Sequence, residues 1–82
     1  MTDNEKRATF RATYHAALRR YIENDPEYDW PDKSDAAIDR CIDKMLVSRS
    51  ATLNANHALR LAAHTIGITR TEDLRAFLDR TA

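Results

Sequence analysis

Apolar side chains return every three or four residues in four separate stretches, and the intervals between those stretches carry residues that stop helices. The first stripe, Phe10, Tyr14, Ala17, Leu18, Tyr21 and Ile22, predicts a helix over 3–23. Thr2 and Glu5 have the spacing of a capping box at its start, and Asn24-Asp25-Pro26 ends it because proline cannot continue the hydrogen-bond ladder. A second stripe, Ala37, Ile38, Cys41, Ile42, Met45 and Leu46, predicts a helix over 34–48 with Ser34 or Asp32 as its cap. The third, over 54–66, places Ala58, Leu59, Ala62, Ala63 and Ile66 on a narrow face, and small residues there allow another helix to approach closely. Either Thr52 or Asn54 is available to cap it. The fourth, over 70–80, offers Leu74, Phe77 and Leu78, with Arg75 and Arg80 toward its C-terminal end, where they suit the dipole.

The third and fourth stretches meet at Gly67, the only glycine of the chain. Glycine can adopt a positive φ just beyond a helix end, and Ile68 behind it completes the pattern of a Schellman ending. Thr69 with Glu72 then has the spacing of a second capping box, so about three residues separate the two helices. The expected fold is all-α, a compact four-helix bundle whose last two helices join at a tight helix-turn-helix-like corner. Its expected core is Phe10, Tyr14, Leu18, Trp30, Ile38, Ile42, Met45, Leu59, Ile66, Leu74 and Phe77.

Composition narrows this picture without naming a function. A chain of 82 residues supports one modest core, so residues 1–82 are expected to form a single domain. Lysine plus arginine equals aspartate plus glutamate at 13 each, which leaves no global basic field to draw the chain onto nucleic acid or an anionic membrane. One cysteine allows no internal disulfide, and no apolar run approaches the roughly 18 residues of a membrane span. A cytoplasmic protein with no membrane association is the expectation. One glycine and two prolines in the whole chain fit helices far better than strands.

Candidate contact residues lie in two places. The connector over 25–33, DPEYDWPDK, holds Tyr28 and Trp30, large rings that either close the open side of the bundle or anchor a partner. Asp35, Asp39 and Asp43 stand at four-residue steps on one face of the second helix, a row that is either hydrated or directed at basic groups elsewhere. Arg7, Arg11, Arg19 and Arg20 read most simply as a solvated face of the first helix. Catalytic and metal chemistry find little footing. His15, His57 and His64 lack the spacing of a zinc site, there is no HExxH, no CxxC and no glycine-rich phosphate loop, and Cys41 sits among apolar neighbours. No cofactor, no metal and no enzymatic activity are expected.

The segment from Leu61 to Leu78, with Ala62 or Ala63, Gly67, Ile68 and a following amphipathic helix, resembles the helix-turn-helix DNA-binding family. That resemblance implies that Thr69, Arg70, Thr71 and Arg75 face the major groove, where hydroxyl and guanidinium groups reach phosphates and base edges. The run IGITRTEDL also looks like one half of a helix-hairpin-helix motif, a family that holds nucleic-acid backbones through amides at a hairpin. The leading expectation is a small non-enzymatic binding protein, an adaptor, inhibitor or regulatory subunit. It would dock on a protein partner, as monomer or homodimer, through Tyr28, Trp30, Asp35, Asp39 and Asp43. The alternative is a DNA-binding regulator that uses the Gly67 corner.

Overall fold

A computed structural model of the chain describes residues 1–24, 32–47, 52–53 and 57–81. Four helices follow in order: α1 Asp3–Asn24, α2 Asp35–Val47, α3 His57–Thr65 and α4 Thr71–Thr81. There is no strand among the described residues, and the chain folds as a compact all-α structure. Tyr28, Trp30 and Asn54 lie outside the described residues.

The caps follow from local chemistry in two of the three starts described. Thr2 Oγ1 accepts the Glu5 amide at 3.2 Å while the Glu5 carboxylate accepts the Thr2 amide at 3.4 Å, so the reciprocal box at the head of α1 is formed. Ser34 caps α2: its Oγ accepts the Ala37 amide at 3.2 Å and its carbonyl the Ile38 amide at 3.1 Å. Asp32 serves one step earlier by accepting the Ser34 amide at 2.9 Å, and this bond holds its carboxyl below the ordinary value. At α4 the expectation needs correction. Arg70, not Thr69, occupies the cap position, since its carbonyl accepts the Leu74 amide at 3.1 Å, and Glu72 is held by the Arg70 guanidinium at 2.6 Å.

The end of α3 is a complete Schellman motif. Ile68 donates its amide to the Ala63 carbonyl at 2.9 Å, Gly67 donates to His64 at 3.0 Å, and Gly67 sits at φ +82°. Ile68 packs partly buried against the core, which fixes the direction in which the chain leaves.

Helix α1 is the spine of the fold, touching α2, α3 and α4, with its most extensive contact on α3. The small side chains Ala58, Ala62 and Ala63 are buried on α3 beside Leu59, and they let it lie close against α1. Phe10, Tyr14, Ile22, Ile38, Ile42, Leu74 and Phe77 complete the core together with Leu53 and Ile66. Phe10 is its aromatic centre, edge-on to Tyr14 at 6.1 Å and to Phe77 at 6.2 Å between ring centroids. Leu18 and Met45, expected inside, are half-buried at the edge of the core, and Tyr21 is exposed. Toward the end of α1 the stripe narrows to Ile22, because a helix flanked by three neighbours along its length turns different residues inward at each level.

Two long-range ties close the structure. The buried Leu53 donates its amide to Thr71 Oγ1 at 3.2 Å, while its carbonyl accepts Arg60 Nε at 3.2 Å, so the segment before α3 is anchored to the start of α4. At the other end Arg80 Nε reaches Asp3 Oδ2 at 3.1 Å, joining the last turn of α4 to the first turn of α1.

Candidate functional site

The three aspartates of α2 are engaged within the chain. Arg11, His15 and Arg19 stand at four-residue steps on α1, as Asp35, Asp39 and Asp43 do on α2, and the two rows meet in opposite directions. Arg19 pairs with Asp35. His15 Nε2 lies 3.6 Å from Asp35 and 3.9 Å from Asp39, contacts that become ion pairs when the imidazole is protonated. Arg11 spans the next interval, 3.6 Å from Asp39 and 2.9 Å from Asp43, and also donates to the Asp39 carbonyl at 3.4 Å. Each cation thus neutralises part of the repulsion within the acid row. Exposed pairs of this kind are individually worth about 0–1 kcal/mol, and here they act mainly to hold α2 at one register along α1.

The ladder has one more basic rung than acidic ones. Arg7 continues the row on α1 by one further step, and the matching position on α2 is Val47. Arg7 is exposed and makes no ion pair among the described residues. Val47 is 83% exposed, the most exposed of the large hydrophobic side chains among the described residues. The two residues line one cleft of about 300 Å³ whose other walls are Phe10, Arg11, Asp43, Leu46, Phe77 and Leu78. Three helices contribute to it: α1 supplies the cationic wall, the last turn of α2 the aliphatic wall, and α4 the opposite side. Phe10 and Phe77 form its floor, each only 2% exposed. An open, largely apolar depression with a guanidinium at its rim accepts an apolar side chain accompanied by a carboxylate.

The residues of the corner are placed less uniformly. Thr69, Arg70 and Arg75 are exposed, whereas Thr71 is half-buried with its hydroxyl taken by the Leu53 amide. Glu72 and Asp73 are exposed between the two arginines, and the Arg70 guanidinium is bonded to Glu72. His57 and His64 are exposed on α3, Cys41 is half-buried, and among the described residues no three histidine, cysteine or acidic side chains converge as metal ligands.

Comparison with protein-family models, with curated proteins and with solved structures returns no match for this chain.

The reading of contact residues from sequence therefore divides. Asp35, Asp39 and Asp43 are brought together on one face, and that face is turned toward α1. The cleft residues Arg7, Leu46, Val47 and Leu78 were not singled out as a site. The register is present in the sequence, since Arg7 extends the basic row by one step while the acidic row stops at Asp43 and the next step holds Val47, but recognising it requires knowing that the two rows face each other. Among the described residues, no helix is long and apolar enough to cross a membrane.

Proposed function

We propose that this chain is a small non-enzymatic docking protein, an adaptor, inhibitor or regulatory subunit that works by binding a protein partner. The observation that supports the reading is the open cleft between α1, α2 and α4, in which an exposed valine and two half-buried leucines stand over an aromatic floor. Such a surface keeps apolar area in contact with water, a cost that a bound side chain removes at about 25 cal/mol per Å² covered. The charged rows next to it hold each other and so keep the cleft walls in place without needing the partner.

The test is isolation of a complex at fixed stoichiometry from purified components, followed by cross-linking and amide-protection mapping on this chain. A defined protein complex supports the reading. Salt-sensitive retardation of duplex DNA, with no protein complex formed, would replace it with the alternative of a DNA-binding regulator. That alternative draws on the exposed Thr69, Arg70 and Arg75 at the Gly67 corner, and its contacts should weaken steeply as salt rises.

A further inference from the structure

We infer that the cleft is the docking site for an acidic amphipathic helix of a partner protein, whose carboxylate pairs with Arg7 while its apolar side chains cover Val47, Leu46 and Leu78. The inference rests on the docking reading above and specifies its surface and ligand chemistry. The argument is one of register and charge. Among the described residues, the members of the α1 row other than Arg7 each face an acid along the α1–α2 seam: Arg19 faces Asp35, His15 faces Asp35 and Asp39, and Arg11 faces Asp39 and Asp43. At the fourth rung the chain supplies Arg7 on one side and an aliphatic residue on the other. The missing acid and the missing apolar cover fall at the same place, so one incoming segment that carries both completes the rung. A helix presents such a pair naturally, because residues three or four apart share a face.

A second copy of the chain is a poor occupant. Val47 follows Lys44 by three positions on its own helix, and the exposed Leu61 on α3 is flanked by Arg60, His57 and His64. These exposed aliphatic residues would bring basic or imidazole groups toward Arg7, and the one carboxylate that accompanies Val47, Asp43 four positions before it, is already paired with Arg11 at 2.9 Å.

The probe is a synthetic capped helical peptide with leucine at every third or fourth position and glutamate elsewhere, beside a matched peptide with glutamine in place of glutamate. Binding is followed by fluorescence anisotropy and by amide shifts in the isotopically labelled full chain, with thermal melts to verify that each variant is folded. The acidic peptide should bind saturably, shift the amides of residues 7–11, 46–47 and 77–78, and outbind the glutamine peptide. Arg7→Glu should weaken it about tenfold, while Arg20→Glu, which reverses an exposed charge elsewhere on α1, should leave it within about twofold. Val47→Asp places the fourth acid on the chain itself; it should pair with Arg7 and weaken the peptide at least as much as Arg7→Glu does.

Equal losses from Arg7→Glu and Arg20→Glu would reduce the effect to net charge and overturn the assignment. So would shifts confined to another face, or no saturable binding tighter than about 1 mM. Displacement of the peptide by laurate at lower concentration would transfer the cleft to a fatty acyl ligand. Concentration-dependent dimerisation blocked by the peptide would transfer it to self-association. If the inference fails while a purified protein partner still protects another surface, the docking reading stands and only this surface is lost.

Discussion

Gly67 offers a stability experiment in which almost every contribution except backbone strain is absent. A Cβ built at this position meets nothing within 4 Å, so replacement by alanine introduces no clash, and the φ of +82° is the only obstacle. Holding an L-residue in the left-handed region costs roughly 1–2 kcal/mol. Alanine also restricts the unfolded chain, which returns about 0.4–1 kcal/mol to the folded state. The net loss for Gly67→Ala is therefore about 1 kcal/mol, or about 4–8 °C in Tm for a chain of this size. Asparagine, which tolerates the left-handed region better, should lose less. The decisive comparison uses chemical synthesis to place D-alanine at the same position. Its chirality suits the positive φ and keeps the entropic benefit, so it should exceed the L-alanine protein by about 1–2 kcal/mol. Urea denaturation of the parent and the three variants measures the differences. Equal stabilities for the L- and D-alanine proteins would mean that the bonds from Ile68 to Ala63 and from Gly67 to His64 do not enforce this conformation in solution.

Other consequences can be tested by the same means. Leu59→Ala empties a fully buried site and should cost about 2–5 kcal/mol in denaturant unfolding, whereas Leu61→Ala, on a residue 48% exposed, should stay within about 0.5 kcal/mol. A double-mutant cycle on Arg11→Gln and Asp43→Asn should give a coupling of about 0.2–1 kcal/mol that shrinks at high salt, and a salt-independent value would contradict an exposed pair. The Asp32 carboxyl is held below its ordinary value of 3.8 by the Ser34 amide, so its contribution is complete above that value and is lost as pH falls through the lowered one. Melting temperature should thus decline less steeply as pH falls below about 4 in Asp32→Asn than in the parent, and parallel declines would remove Asp32 from the acid response.

What could be read from the residues alone tracks how local each determinant is. The caps at Thr2 and Ser34 and the Schellman ending at Gly67 involve groups within five positions of one another, and the residue types announce them. Thr69 and Glu72 have the spacing of a box but do not form one, because α4 begins at Thr71 and the Glu72 carboxylate is taken by the neighbouring Arg70 guanidinium at 2.6 Å. The aspartate row was visible as a row, yet whether it faced water or arginine depended on the antiparallel pairing of α1 with α2. Leu53, standing alone in a polar connection, carried no periodic signal, although it is only 4% exposed. The cleft is the least local feature of all, assembled from residues of three helices whose side chains share nothing in sequence but their final position.

The contact between Asp3 and Arg80 has a topological consequence. With the first and last helical turns side by side, the polypeptide is nearly a closed ring, and the place where it happens to be cut is not dictated by the packing. A short bridge across that gap and a new opening between α2 and α3 would give the order α3, α4, α1, α2 while preserving the seating of α3 on α1. Segments joined ahead of Asp3 and beyond Arg80 would emerge together from one pole, on the side of the cleft that Leu78 helps to line.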